Sequence, residues 1–181
     1  MPRIHPIDPA TATGTVAAQL EGTRKALGST PNLFTTAAHS PAALTALNGL
    51  FGALSRSALG AAIGEQVAIA VAQQNGCEYC LAAHTALGGL HGVTPGELSA
   101  ARLGVSTDPK AAAAMTLATT IVRTRGKTDD AALAAARAAG LTEGEIVEVV
   151  AHVALNVFTN YLNNLARTEV DFPKVELAEA A

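Results

Sequence analysis

Tryptophan is absent from the chain, and aromatic residues of all kinds make up only 3% of its 181 positions. Its core must therefore rest on small side chains, and alanine supplies much of the 49% hydrophobic content. That suits closely packed helices. Charge is scarce as well, at 15% Asp, Glu, Lys and Arg, against about 25% in ordinary soluble domains. Some of the surface is expected to be covered by further copies of the chain, because apolar faces left in water associate. The net charge is −3 and no basic stripe occurs, which argues against a nucleic-acid partner. No run of about 18 uninterrupted apolar residues is present, so no membrane span is expected. The opening stretch "MPRIHPIDPATATG" has prolines and an acid where a signal peptide needs an apolar run. A cytoplasmic location is expected. The length fits one domain, 1–181, able to bury about 70% of its unfolded surface without a disulfide or metal to staple it.

What is present is helical punctuation. The spacing predicts an all-α chain of roughly eight helices, at about 11–27, 41–56, 61–74, 77–90, 95–103, 109–124, 129–139 and 143–167. Ser40-Pro41 and Asp108-Pro109 are caps followed by proline at the first helical position. Thr94 with Glu97, and Thr142 with Glu145, have capping-box spacing. Thr128 is the expected cap of 129–139. Asn75-Gly76 ends one helix, with Gly76 free to turn left-handed. No segment alternates at period two long enough to make a strand.

Cysteine occurs twice, and both copies lie in "NGCEYCLAAH", residues 75–84. On a helix at about 100° per residue, Cys80 falls at about −60° from Cys77 and His84 at about −20°. One face then carries all three, and both cysteines sit in a first turn whose N–H groups favour a thiolate. Folding helix 61–74 back on helix 77–90 about Asn75-Gly76 brings Glu65 within a turn of His84. The expected spatial order is Glu65–His84–Cys80, with Cys77 alongside. Glu65 would orient His84, and His84 would take a proton from Cys80. This set permits peroxide reduction: a Cys80 thiolate becomes a sulfenic acid, Cys77 condenses with it, and an external dithiol reduces the disulfide. A zinc site of Cys77, Cys80, His84 and Glu65, a structural disulfide, and a pair of inert core cysteines are the blander alternatives. Close cysteine pairs in a reducing compartment are more often catalytic or metal-binding than structural. Bare CxxC is weak evidence; CxxCxxxH with a glutamate twelve residues upstream is much more specific. No metal and no cofactor are expected.

At these residues the sequence resembles the carboxymuconolactone decarboxylase superfamily, on its alkylhydroperoxidase D-like (AhpD-like) branch. The stretches "EQVAIAVAQQNGCEYCLAAH", "LNVFTNYLNNLARTEVDFPKV" and "TPNLFTTAAHSPAAL" carry the resemblance, so it covers most of the chain. It implies an AhpD-like helical bundle assembled as trimers or hexamers. It further implies dithiol-dependent reduction of organic hydroperoxides or hydrogen peroxide, a peroxiredoxin-type antioxidant activity. By that resemblance Cys80 attacks, Cys77 resolves, and Glu65 and His84 relay protons. Decarboxylase members typically lack the cysteine pair. Tyr79 stands where the best-studied peroxidase type carries histidine, and Gly64 at a position often charged in relatives. Two other functions fit the residues: an acid–base enzyme using Glu65 and His84 on a lactone-like acid, and a CxxC redox sensor or adaptor.

The helix at 143–167 is apolar nearly all round and is expected to be buried, with a polar stripe of His152, Asn156, Asn160 and Asn163 or Asn164. Hydrogen bonding to neighbouring helices or subunits explains such a stripe; a place for His152 in the active pocket is the functional alternative. Tyr79 either shields the thiols or serves an interface. His91, His39 and His5 are expected on the surface, and Asp129 and Asp130 to cap a helix rather than catalyse.

Overall fold

Capping side chains set most of the helix starts. The computed structural model describes residues 1–178. Its helices are α1 Gly14–Leu27, α2 Asn32–Ala37, α3 Pro41–Leu54, α4 Ala61–Gln74, α5 Glu78–Leu90, α6 Pro95–Ala101, α7 Pro109–Thr124, α8 Asp130–Ala138 and α9 Glu143–Ala166. No strand occurs among the described residues, so the all-α expectation holds. Ser40 Oγ accepts from Ala43 N–H at 3.2 Å and Asp108 Oδ1 from Lys110 N–H at 2.9 Å. Thr142 and Glu145 form the full reciprocal box. The cap of α8 is Asp129 rather than Thr128: its carboxylate accepts from Ala132 N–H at 2.9 Å. At Thr94 only half the box exists. Glu97 turns away to accept from Ser106 and Thr107, because those donors pin the α6–α7 loop.

α4 is the hub. It packs on α5, α6, α7 and α9, and its residues Gln66–Ala72 are all buried. Val67, Ile69 and Val71 meet Leu81, Met115 and Val149 in one apolar core. The short α2 lies outside the expected set of helices. It has six residues and no side-chain cap, so neither periodicity nor punctuation marks it. Tertiary contacts hold it instead: Leu33–Ala37 are buried and Phe34 packs on Phe51 with ring centroids 5.5 Å apart.

α9 departs from the expectation of a helix buried all round. One flank closes the core through Val149, Val153 and Asn156. The other leaves Val147 67% exposed and Tyr161 56% exposed, with Val150 and Leu165 beside them. Helical periodicity counts apolar positions but does not tell which of them meet this chain's own core.

Candidate active site

The α4–α5 hairpin builds the centre. Gly76 turns left-handed at φ 62°, and Cys77 N–H reaches back to Ala72 O at 2.9 Å. Cys77 is not inside the helix, as expected from the sequence, but is its N-cap, with extended φ −95° and ψ 92°. The reason is local: its sulfur accepts the otherwise unpaired N–H of Cys80 at 3.2 Å, as an N-cap side chain does. The two thiols are unbonded to each other, and both are buried, Cys77 at 0% and Cys80 at 3% exposure.

One turn further on, His84 Nδ1 lies 2.8 Å from Glu65 Oε2. Fold-back of α4 on α5 therefore joins the carboxylate and imidazole as the spacing requires. Gly88 helps set this approach: a Cβ there would come within 2.6 Å of Leu98 Cδ2 and 3.5 Å of Glu65 Cβ. No direct hydrogen bond links His84 to Cys80 among the described residues; the His84 side-chain bond is to Glu65. The imidazole acts on the sulfur through its charge.

The direct side-chain partner of Cys80 comes from α9. Asn163 Nδ2 donates to Cys80 Sγ at 3.3 Å. Asn160, one turn earlier, accepts from Asn75 Nδ2 through its Oδ1 at 2.9 Å. Asn164 Nδ2 donates to Asn75 O at 2.9 Å, so α9 is tied to the turn that presents the cysteines. The polar stripe was visible in the sequence, but its contact with the thiol was not.

Burial pushes the Cys80 thiol up. The Cys77 hydrogen bond, the His84 charge and the Asn163 and Asn160 amides outweigh it, and Cys80 settles at about 6. Cys77 moves the other way: its hydrogen bond to Cys80 and its burial keep its proton on. Burial pushes His84 down, but the Glu65 carboxylate and then Cys80 overcome this and raise it. The centre thus separates one acidic thiol from one that stays protonated, beside an imidazole raised above its ordinary value by Glu65 and Cys80.

The Tyr79 hydroxyl and ring are engaged by other elements. Its Oη accepts from Leu33 N–H at 3.1 Å, and its ring stands perpendicular to Phe172 with centroids 5.8 Å apart. It fastens α2 and the C-terminal segment to α5. His152 is buried on α9 near Glu65 and His84; burial pushes it down, and the charges of Glu148 and Glu65 offset this only in part. Its Nε2 lies 3.5 Å from Ser57 Oγ. Gly64 makes room for it, since a Cβ there would sit 3.0 Å from His152 Cε1. His5, His39 and His91 are exposed. No three His, Cys, Asp or Glu side chains among the described residues are placed to hold a metal, so the zinc alternative gains no support from geometry. No described helix is long and apolar enough to cross a membrane.

The bundle therefore carries CxxC at the start of one helix, and a histidine on that helix bonded to a glutamate from the preceding one. Residues 41–120, from α3 through most of α7, match the model of the carboxymuconolactone decarboxylase family, in agreement with the resemblance read from the sequence. None of the curated proteins matches the chain. Among solved structures, the fold is shared with an uncharacterized peroxidase-related protein from Ralstonia eutropha JMP134, described as an alkylhydroperoxidase AhpD core. That match has a TM-score of 0.84 at 21% identity and covers 94% of this chain and 92% of that one. An uncharacterized peroxidase-related protein from Silicibacter sp. TM1040 gives 0.78 at 20% identity, over 92% and 91%. The debrominase Bmp8 gives 0.77 at 18% identity, over 93% and 91%; a cysteine-to-alanine variant of it was solved with 2,3,4-tribromopyrrole.

Proposed function

We propose that the chain is a dithiol peroxidase that reduces organic hydroperoxides or hydrogen peroxide. The observation that carries this is the arrangement around the pair: Cys80 at the start of α5 accepts from Asn163 Nδ2 at 3.3 Å, Cys77 lies against its N–H at 3.2 Å, and the Glu65–His84 pair stands one turn on; these surroundings lower Cys80 and raise Cys77. A thiolate is the nucleophile and the protonated thiol beside it is the resolving group. The Cys80 thiolate attacks the terminal oxygen of the hydroperoxide, so a sulfur–oxygen bond forms and the oxygen–oxygen bond breaks. Sulfur loses two electrons, and the departing alkoxide takes a proton from the His84 imidazolium, which Glu65 orients. Cys77 then gives up its proton and displaces hydroxide from the Cys80 sulfenic acid as water, leaving a disulfide. An external dithiol reduces that disulfide by exchange.

A homo-oligomer, trimer or hexamer, is part of this reading. The apolar flank of α9, with Val147, Val150, Tyr161 and Leu165 exposed, is the surface such assembly would cover, in keeping with the low charge of the chain. The fold shared with the debrominase Bmp8 supports a second substrate class for the same site, a brominated pyrrole in place of a peroxide. The completeness of the Glu65–His84 pair without either cysteine supports the acid–base alternative.

A thiol count on the reduced protein, before and after one equivalent of cumene hydroperoxide, tests the proposal. Loss of both thiols, restored by a dithiol, is expected. Two thiols intact after long exposure would sink it. A substrate turned over equally well by the Cys77→Ala/Cys80→Ala variant would establish the acid–base enzyme instead.

A further inference from the structure

Three side-chain atoms along the buried stripe of α9 have no hydrogen-bond partner among the described residues: Asn156 Oδ1, Asn160 Nδ2 and Asn163 Oδ1. Two of them flank Cys80. Asn163 and Asn160 are 3% and 0% exposed, so bulk water does not satisfy them, and an unpaired buried amide group is destabilising. Asn163 spends its Nδ2 on the Cys80 sulfur at 3.3 Å and keeps Oδ1 free. Asn160 spends its Oδ1 on Asn75, and its Nδ2, which bears on the Cys80 sulfur, makes no bond of hydrogen-bond length. One free acceptor and one free donor thus lie beside the nucleophile, on amides whose other ends are already fixed.

We propose that Asn160 and Asn163 form an amide cradle that holds the Cys80 thiolate and receives the oxygen transferred to it. The second half of this rests on the peroxidase reading above; the first does not. Nδ2 of Asn163, and Nδ2 of Asn160 when the sulfur is ionised, donate to the thiolate. A hydroperoxide entering beside them carries one O–H and two acceptor oxygens. Its O–H donates to Asn163 Oδ1, and the oxygen bonding to sulfur accepts from Asn160 Nδ2. After transfer, the same two atoms match a sulfenic acid, S–O–H, until Cys77 displaces it. An alkyl hydroperoxide or hydrogen peroxide satisfies both atoms; a dialkyl peroxide, with no O–H, leaves Asn163 Oδ1 unpaired and is predicted to be a poor substrate. The entrance is the Glu65–His84 edge, where the side chains retain 16% and 11% exposure. The ionisable neighbours of the sulfur are Cys77, Tyr79 and His84 from the α5 segment and Glu65 of α4 behind His84. From α9 the ionisable group is His152, beside Glu65 and His84.

The test uses the full chain and two readouts, the pH midpoint of Cys80 alkylation by iodoacetamide, assigned by peptide mass, and the rate with cumene hydroperoxide. Asn163→Leu, close in volume and without a donor, is the main variant; Asn163→Ala and Asn160→Ala accompany it, so the loss of one fold leaves others to read. Each lost amide donor is expected to raise the alkylation midpoint by about one to two pH units, from a charged hydrogen bond of about 1.5–3 kcal/mol at 1.36 kcal/mol per unit. An unchanged midpoint in folded variants overturns the thiolate half. The peroxide rate, divided by the thiolate fraction, is expected to fall a further tenfold to about a hundredfold. A fall no greater than the loss of thiolate overturns the oxygen-receiving half. Wild-type protein that alkylates normally but leaves cumene hydroperoxide untouched refutes the peroxidase reading, while the midpoints still decide whether the amides hold the thiolate.

Discussion

Glu65→Gln changes one charge in the centre and almost no volume. The glutamine keeps a hydrogen bond to His84 Nδ1, now 2.8 Å from the carboxylate, but the bond is no longer charge-assisted. Such bonds contribute about 1.5–3 kcal/mol and neutral ones about half that. The loss is then about 1–1.5 kcal/mol, or about one pH unit in the His84 midpoint. Burial already pushes His84 down, so without Glu65 the ring is neutral over more of the neutral pH range. Cys80 then loses the positive neighbour that helps bring it to about 6, and its own midpoint rises by about one. At pH 6 the thiolate fraction falls from about one half to about one tenth, and any thiolate-limited rate falls about fivefold. At pH 9 the variant and the wild type converge. Thiolate absorbance at 240 nm reads this directly. Between pH 4 and 8.5 the wild type should show one thiol ionising, because Cys77 is held protonated. A Glu65→Gln midpoint equal to the wild type would refute the claim that Glu65 tunes the thiol through His84. Two thiols ionising together would refute the asymmetry itself.

Glu145→Ala removes both an α9 cap and the carboxylate that pairs with Lys110 at 2.6 Å. A cost of about 2–3 kcal/mol is expected in urea unfolding, near the low end for a broken buried pair because Lys110 is partly exposed. In the folded chain the Lys110 and Thr142 hydrogen bonds hold the Glu145 carboxyl at about 2, below its ordinary 4.5, so its stabilisation is present above pH 4.5 and is lost as pH falls toward 2. Wild-type acid unfolding should steepen in that window, and the variant should lose that part of the dependence. Tyr79→Phe leaves the buried Leu33 N–H without its acceptor and should cost about 1–2 kcal/mol. The thiolate midpoint should hardly move, whereas a midpoint shifted by a full unit would return Tyr79 to the pocket. Gly88→Ala brings a methyl to 2.6 Å from Leu98 Cδ2. A loss of about 1 kcal/mol is expected, recovered in part by Leu98→Val, as thermal melts would read.

The helix starts were legible because capping is local chemistry: Ser40, Asp108 and Thr142 each bond a backbone N–H two or three residues away. The Glu65–His84 pair was legible for a related reason. A two-residue turn at Asn75-Gly76 leaves little freedom in how α4 and α5 meet, so spacing alone fixes the partner. Cys77 shows the limit of the same logic. A helical wheel carries it into the helix, yet its sulfur takes the Cys80 N–H as an N-cap does, and the helix starts one residue later. Tyr79, beside Cys80 in sequence, turns about 100° away from it on the helix and is claimed by α2 and Phe172.

What stayed out of reach depends on contacts between distant parts of the chain. Asn163 touches Cys80 across 83 positions, and nothing near either residue announces the other. Composition offers only an indirect signal, a row of amides on a helix otherwise rich in apolar residues. Buried amides persist only where partners repay their desolvation. In this stripe the repayment is incomplete, since Asn160 Nδ2 and Asn163 Oδ1 are left unpaired. A stripe serving helix packing alone would satisfy both atoms with protein groups, as Asn75 satisfies the other end of Asn160. Atoms left open beside an acidic thiol are what a site needs if its remaining partner arrives with the substrate.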